Sequence, residues 1–352
     1  FFDSLASSSM PLDLNNIRDR EVAIWKIKET FMKAMKEELN LIQVSAPLVL
    51  PSGKGINDDL NGVEKIATFP VKNLGGLNCE LPQSLAKWKR IGLSKYGFAP
   101  GEGLITHMNA VRPDEDIDVT HSIYVEQWDW EKVLTKEQRN LEFLKETVGK
   151  VWKAIKKCEV EVQETTGIEP ILPETLNFVH TEELERRFPD KTCKEREAEA
   201  VKENGGAVFV VGIGSHLPIS GQIWDGRAPD YDDWTTPTEL GAGLNGDILV
   251  WHPVLKREFE LSSMGIRVDK DALIKQCEIR KCPERCNLFF QQGIINDKWP
   301  LSVGGGIGHS RLTMFLLRRA HIGETVRTLW PDSEKQWAAE HGVNLLLAGD
   351  EE

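Results

Sequence analysis

Membrane-length apolar runs are missing from this sequence. Across 352 residues no stretch reaches the ~18 consecutive apolar positions that a bilayer span requires, and Phe1 to Met10 lack the basic-then-apolar pattern of a secretion signal. A cytoplasmic protein is expected. Positive charge is also short: 43 Lys and Arg stand against 55 Asp and Glu, a net charge of −12. Phosphate backbones are bound by an excess of Lys and Arg, so a generic nucleic-acid binder is excluded, although a local basic groove is not. The six cysteines include no CxxC and suggest no disulfide framework. Cys277, Cys282 and Cys286 cluster, but their spacings match no zinc pattern and a fourth donor is missing, so reduced thiols are expected. The eight histidines form neither HxH nor HExxH, which leaves a histidine-bound catalytic zinc without support. Dinucleotide and P-loop signatures fail as well: the third glycine after Gly212-Ile-Gly214 is replaced by Leu217, and Gly53-Lys54-Gly55 lacks the following Ser or Thr. No internal repeat and no Pro- or Ser-rich linker divides the chain, so a single domain over residues 1–352 is expected.

What is present is a soluble, core-forming composition, 40% hydrophobic and 28% charged. Ile24, Ile27, Phe31, Met35 and Leu39 recur at helical spacing and predict a long amphipathic helix. A β-type run from Leu41 to Leu50, bracketed by Pro47 and Pro51, follows, and then a glycine-rich polar stretch from Ser52 to Gly62. Leu104 to Trp130 reads as two strands joined by a charged loop from Arg112 to Asp118. In the second strand both faces mix polar and apolar residues, with Gln127 and Asp129 on one side, so it lies at an edge or lines a polar pocket. Thr135 with Gln138, and Thr192 with Glu195, are capping-box signatures for two further helices, the first ending near Gly167 and the second closed by Asn204-Gly205. Later strands are predicted at Ala207–Ile213, Asp247–Trp251, Glu258–Ser262 and Leu301–Val303, which makes the class α+β.

Three local patterns carry chemistry. Gly304-Gly305-Gly306-Ile307-Gly308-His309-Ser310-Arg311 follows a short strand and opens an apolar helix. It reads either as a tight turn or as a bare backbone that a flat ligand can approach, with Arg311 supplying a planar cation. Arg112 ends one strand opposite Gln127 and Asp129 on the next. Asp247 comes before one strand, and Glu260, Ser263 and Arg267 follow within Phe259-Glu-Leu-Ser-Ser-Met-Gly-Ile-Arg267, where Glu260 alternates with the apolar Phe259 and Leu261. Together they suggest an ATP site built without a P-loop.

At these residues the chain resembles the catalytic core of class II aminoacyl-tRNA synthetases. The helix and strand over residues 20–51 are similar to the family's dimer-interface motif, the Arg112 hairpin to its second motif and Gly304 to Arg311 to its third. Ser84-Leu-Ala-Lys-Trp-Lys-Arg90, Gln127-Trp-Asp-Trp-Glu131, Arg227-Ala-Pro-Asp-Tyr-Asp-Asp-Trp234, Leu244-Asn-Gly-Asp247 and Phe259-Glu-Leu-Ser-Ser-Met-Gly-Ile-Arg267 resemble, more closely, the ammonia-dependent asparagine synthetases within that superfamily.

The resemblance implies a seven- or eight-stranded, mostly antiparallel sheet in a homodimer that converts aspartate, ATP and ammonia to asparagine, AMP and pyrophosphate through a β-aspartyl adenylate. By position it implies Arg112, Asp129 and Arg311 as catalytic residues, and Ser84, Lys89, Gln127, Asp232, Ser263 and Arg267 as the aspartate pocket. Ser122, Val125, Asp247, Glu260, Gly305 and Arg311 would meet ATP, with Asp247 and Glu260 holding Mg²⁺. Asp129 would orient ammonia or bind the ammonium group of aspartate. The competing readings are a tRNA synthetase fragment, for which no residues are left over to make an anticodon-binding domain, and a non-catalytic sensor, which has no need of phosphate-clamping arginines.

Overall fold

The computed structural model describes residues 10–60 and 64–349; the start of the chain, and Gly62 at the end of the glycine-rich stretch, lie outside them. Helix α1 (Ile17–Leu39) starts at Asn16, whose side chain accepts from Arg18 N and Asp19 N, and stops at Asn40 in the left-handed region at φ 57°. Ile24, Ile27, Phe31, Met35 and Leu39, the periodic set, are all buried. The strand expected over Leu41 to Leu50 is two short ones, β1 (Leu41–Gln43) and β2 (Leu50–Pro51), in different sheets. Pro47, with no N–H for a ladder, falls between them. β2 pairs with β4 (Leu77–Glu80), which also pairs with β3 (Thr68–Val71), and α2 (Ala86–Tyr96) follows.

The hairpin forms as expected, from β5 (Gly103–Val111) and β6 (Tyr124–Val133). The Thr135 and Gln138 box is present but caps a short 3-10 turn; the long helix α3 (Leu141–Thr166) begins one step later at Asn140 and ends at Gly167. Then come β7 (Asn177–His180), α4 (Thr181–Arg187) and α5 (Cys193–Glu203), which is capped by Thr192 and Glu195 as expected. β8 (Ala207–Val211), β9 (Asn245–His252), β10 (Arg257–Ile266), α6 (Lys270–Ile279) and α7 (Phe289–Ile295) lead to β11 (Ser302–Gly308), α8 (His309–Leu316) and α9 (Asp332–His341).

Eight strands form the main sheet in the order β1-β5-β6-β11-β10-β9-β8-β7. Only the outer pairs, β1 with β5 and β7 with β8, are parallel. One face packs on α1, α3 and α8 through a core that takes in Phe31, Trp128, Trp130, Trp152 and Phe315. The other face is covered at one end by α2 and at the other by α5, and the middle is left open.

Two features of the central strands set up that opening. The glycines at 304–306 are not a turn after a strand but part of β11 itself, flanked by β6 and β10. In β10 the register slips between Glu260 and Ser262, a β-bulge that leaves Leu261 as the extra residue. Phe259 and Leu261 point to the α1–α3 core before it, and Met264 and Ile266 after it, so the alternation changes phase.

Candidate active site

On β6 the period of two sends Trp128 and Trp130 into the core and Gln127, Asp129 and Glu131 to the opposite face. An acid buried in a central strand must find partners, and each does. Glu131 lies across from Gly304 on β11 and is gripped by Arg267, the residue that follows β10, with Nε at 3.0 Å and Nη2 at 2.8 Å from its oxygens. Arg267 Nη1 also donates to Asp232, and Ser302 Oγ donates to Glu131 at 2.7 Å. Burial works against the charge of Glu131, but Arg267 outweighs it and holds the carboxyl below its ordinary range. For Asp232 burial wins, and its pKa is raised despite Arg267.

The bare strand makes room for this layer. A Cβ on Gly304 would sit 1.9 Å from Glu131 Oε2, and one on Gly306 would sit 2.6 Å from Gln127 Oε1. Lys89, on the face of α2 that meets β6, donates to Asp129 Oδ1 and to Gly305 O at 2.8 Å. Asp129 Oδ2 is buried with no hydrogen-bond partner, an acceptor waiting for a donor.

Above this layer opens a cavity of about 350 Å³ with a second group of charges. Arg227 donates to Ser263 Oγ at 3.0 Å and to Asp247 at 2.5 Å. Burial, the like charges of Glu260 and Asp225, and only partial relief from Arg227 push Asp247 up to about 8. Arg311 lies against Glu260 at 3.3 Å and within 2.8 Å of His121 Nε2, whose other ring nitrogen meets Asp118 at 2.8 Å. Arg112 contacts Glu115 at 3.3 Å and Gln83 O at 3.4 Å, while its Nε has no partner. The contacts of Arg112 and the Arg311–Glu260 pair are long for charge-assisted hydrogen bonds, so these guanidinium groups can turn toward a ligand at little cost.

The cavity wall includes Ser84, Lys89, Arg112, Ser122, Val125, Gln127, Asp129, Asp232, Glu260, Ser263, Arg267, Gly305 and Arg311. Asp247 is the one expected site residue outside that wall; it stands on β9 opposite Ser263, beneath Arg227. Sequence reasoning missed Asp58, His121 and Arg227 as site residues. Arg227 stood in a quoted motif, but Asp58 and His121 sit in loops without periodicity. Asp58 is buried on the cavity wall beside Ser84; burial, against the pull of Lys87 and with Asp230 and Asp59 adding to it, pushes its pKa up to about 6.

A family model for aspartate-ammonia ligase matches residues 18–342. The chain belongs to the aspartate-ammonia ligase family. Its relatives include an aspartate-ammonia ligase of Clostridium perfringens, 49% identical over 95% of this chain and 96% of that one. Another, of Parabacteroides distasonis, is 48% identical over the same shares. Among solved structures the chain is similar to asparaginyl-tRNA synthetase of Pyrococcus horikoshii complexed with asparaginyl-adenylate, with a TM-score of 0.62 and 16% identity, over 91% of this chain and 75% of that one. It is also similar to aspartyl-tRNA synthetase of Entamoeba histolytica, with a TM-score of 0.56 and 15% identity, over 92% and 63%. At such low identity the likeness is one of fold: this member of the ligase family is built on the class II synthetase architecture.

Proposed function

We propose that the chain makes asparagine from aspartate, ATP and ammonia by way of a β-aspartyl adenylate, with AMP and pyrophosphate released. The observation that carries this reading is one cavity with two unlike ends: a locked carboxylate and cation layer around Arg267 and Lys89, and loosely held Arg112 and Arg311 beside Glu260. An amine does not displace oxide from a carboxylate, so the β-carboxylate must first be esterified. One of its oxygens attacks the α-phosphorus of ATP and pyrophosphate leaves; Arg112 and Arg311 offset the charge that builds on the phosphoryl oxygens. The nitrogen of ammonia then attacks the β-carbonyl carbon, and AMP departs.

Ser84, Lys89, Gln127, Ser263 and Arg267 would line the aspartate pocket, and Asp129 Oδ2 would accept from its ammonium group or from the incoming ammonia. Ser122, Val125 and Gly305 would frame the nucleotide. An ammonium ion must lose a proton before its lone pair can attack, and Asp58, with a pKa pushed up to about 6, is suited to accept it. The residues also fit Mg²⁺: Asp247 Oδ1 is buried without a partner and Glu260 is close enough to interact with it electrostatically. Bound there, the ion would neutralise phosphate charge beside Arg311.

Exposed Trp25, Ile42, Leu48 and Val49, on α1, β1 and the loop that follows, support a homodimer through the face that the resemblance implies. Among the described residues no helix is long and apolar enough to cross a membrane. The deciding experiment is aspartate-dependent ATP–pyrophosphate exchange in a tRNA-free mixture, followed by asparagine formation when ammonium chloride is added. Exchange without aspartate, or no exchange at all, would sink the adenylate. Rates with ammonium and with glutamine, compared side by side, identify the nitrogen source.

A further inference from the structure

Behind the candidate active site lies a second cavity, of about 290 Å³, whose wall includes Gly55, Asn57, Asp59, Lys87, Asp230 and Gln291. It shares no wall residue with the first, yet the two are one residue apart along three segments. Asp58 faces the active-site cavity while its neighbours Asn57 and Asp59 face the second; conversely Lys87 faces the second cavity while Ala86 and Lys89 face the first, and Asp230 faces the second while Tyr231 and Asp232 face the first.

The second cavity holds two unmet acceptors. Asp230 and Gln291 are fully buried, and neither Asp230 Oδ1 nor Gln291 Oε1 has a hydrogen-bond partner. The orientation of the Gln291 amide follows from its other end, where Nε2 donates to Asp230 Oδ2. Oε1 is therefore the free atom, and it points toward Gly55 on the cavity wall, where an added Cβ would lie 2.6 Å away. The wall is acidic on balance, with Asp59, Glu80, Asp230 and Glu284 against Lys87 and Arg285. Asp59 is held by Arg285, and Asp230 by Lys87 at 2.9 Å. Among the described residues no group of three His, Cys, Asp or Glu is placed to hold a metal ion. The unmet need is for a cation that donates hydrogen bonds, not for a bare divalent ion.

We propose that this cavity is an ammonium antechamber, where NH₄⁺ donates to Asp230 Oδ1 and Gln291 Oε1 one residue's thickness from Asp58. The inference rests on ammonia being the nitrogen donor. It separates taking up the ion, in the acidic cavity, from removing its proton, at Asp58. The net negative wall raises the local concentration of a small cation, and the two orphan acceptors give it a fixed place.

The test is Gln291→Met, which keeps the length of the side chain and removes the acceptor. KM for ammonium is expected to rise about tenfold, or ~1.4 kcal/mol, while KM for aspartate and for ATP and the rate of pyrophosphate exchange stay within about twofold. Exchange runs without ammonium, so its absence in the parent enzyme would overturn the proposed function itself. With exchange intact, an unchanged KM for ammonium in the folded variant overturns the antechamber alone. If the variant does not fold, crystals of the parent enzyme soaked in thallium(I), a monovalent cation that stands in for ammonium, decide the matter. An anomalous peak in contact with Asp230 and Gln291 is expected; water alone at that position overturns the proposal.

Discussion

Arg267 and Arg311 lie on the same cavity wall and have opposite lives. Arg267 is 2% exposed and spends its donors on Glu131 and Asp232, whose attraction outweighs burial and holds its pKa above the ordinary arginine value. Arg311 leans on Glu260 at 3.3 Å and on His121, with its side chain 23% exposed. A guanidinium whose donors are already used shapes a site, and one whose donors are loosely held can change partners when a ligand arrives. On the proposed function the same side chain serves as masonry at the aspartate end and as a clamp at the nucleotide end.

Substitutions can break that contrast. Arg267→Ala leaves Glu131 without its ion-pair partner and Asp232 without its donor in the interior, and a stability loss of about 3–5 kcal/mol is expected in urea unfolding. Arg311→Ala is expected to slow pyrophosphate exchange about 100- to 1,000-fold, with stability within about 0.5 kcal/mol of the parent. Should Arg311→Ala unfold the protein as Arg267→Ala does, the two arginines would be alike and the distinction lost. Gly306→Ala tests the bare strand between them. Its Cβ meets Gln127 Oε1 at 2.6 Å, and a rise in KM for aspartate of about tenfold, with KM for ATP held, is expected from steady-state kinetics.

The smallest effect concerns Asp58. Its pKa is pushed up to about 6, chiefly by burial, so the folded protein binds this proton more tightly than the unfolded chain does. Its contribution to stability is therefore full below the unfolded value, ~3.9, declines as pH rises toward 6 and is flat beyond. Catalysis runs the other way, since only the ionised form accepts a proton. Ammonium-dependent asparagine formation in the parent should fall off below about pH 6, and Asp58→Asn should be slower but without that inflection. Parallel pH profiles for the two proteins would remove Asp58 from the proton path.

Much of this was legible before any coordinates. The spacing of Ile24 to Leu39 gave α1, and the mixed faces around Gln127 and Asp129 told of a polar pocket; β6 proved to be an interior strand, which leaves pocket lining as the reason. The glycine cluster misled because a run of glycines reads as a turn. In β11 its cause is lateral: Glu131 and Gln127 on the neighbouring strand occupy the space where side chains would be. Asp58 and His121 were out of reach for a related reason. Each gains its meaning from residues distant in sequence, Lys87 and Asp230 for one and Arg311 for the other, and no local pattern marks such a meeting.

The bulge at Leu261 has a consequence for how the two ends work together. Glu260 sits with Arg311 and Ser263 with Arg227, and three steps apart on a regular strand they would look in opposite directions. One surplus residue turns both toward the same space. On the proposed function, the coupling of nucleotide to amino acid is written as a shift of reading frame within a single strand. Deleting that residue would keep every functional group in the chain and divorce the two substrates.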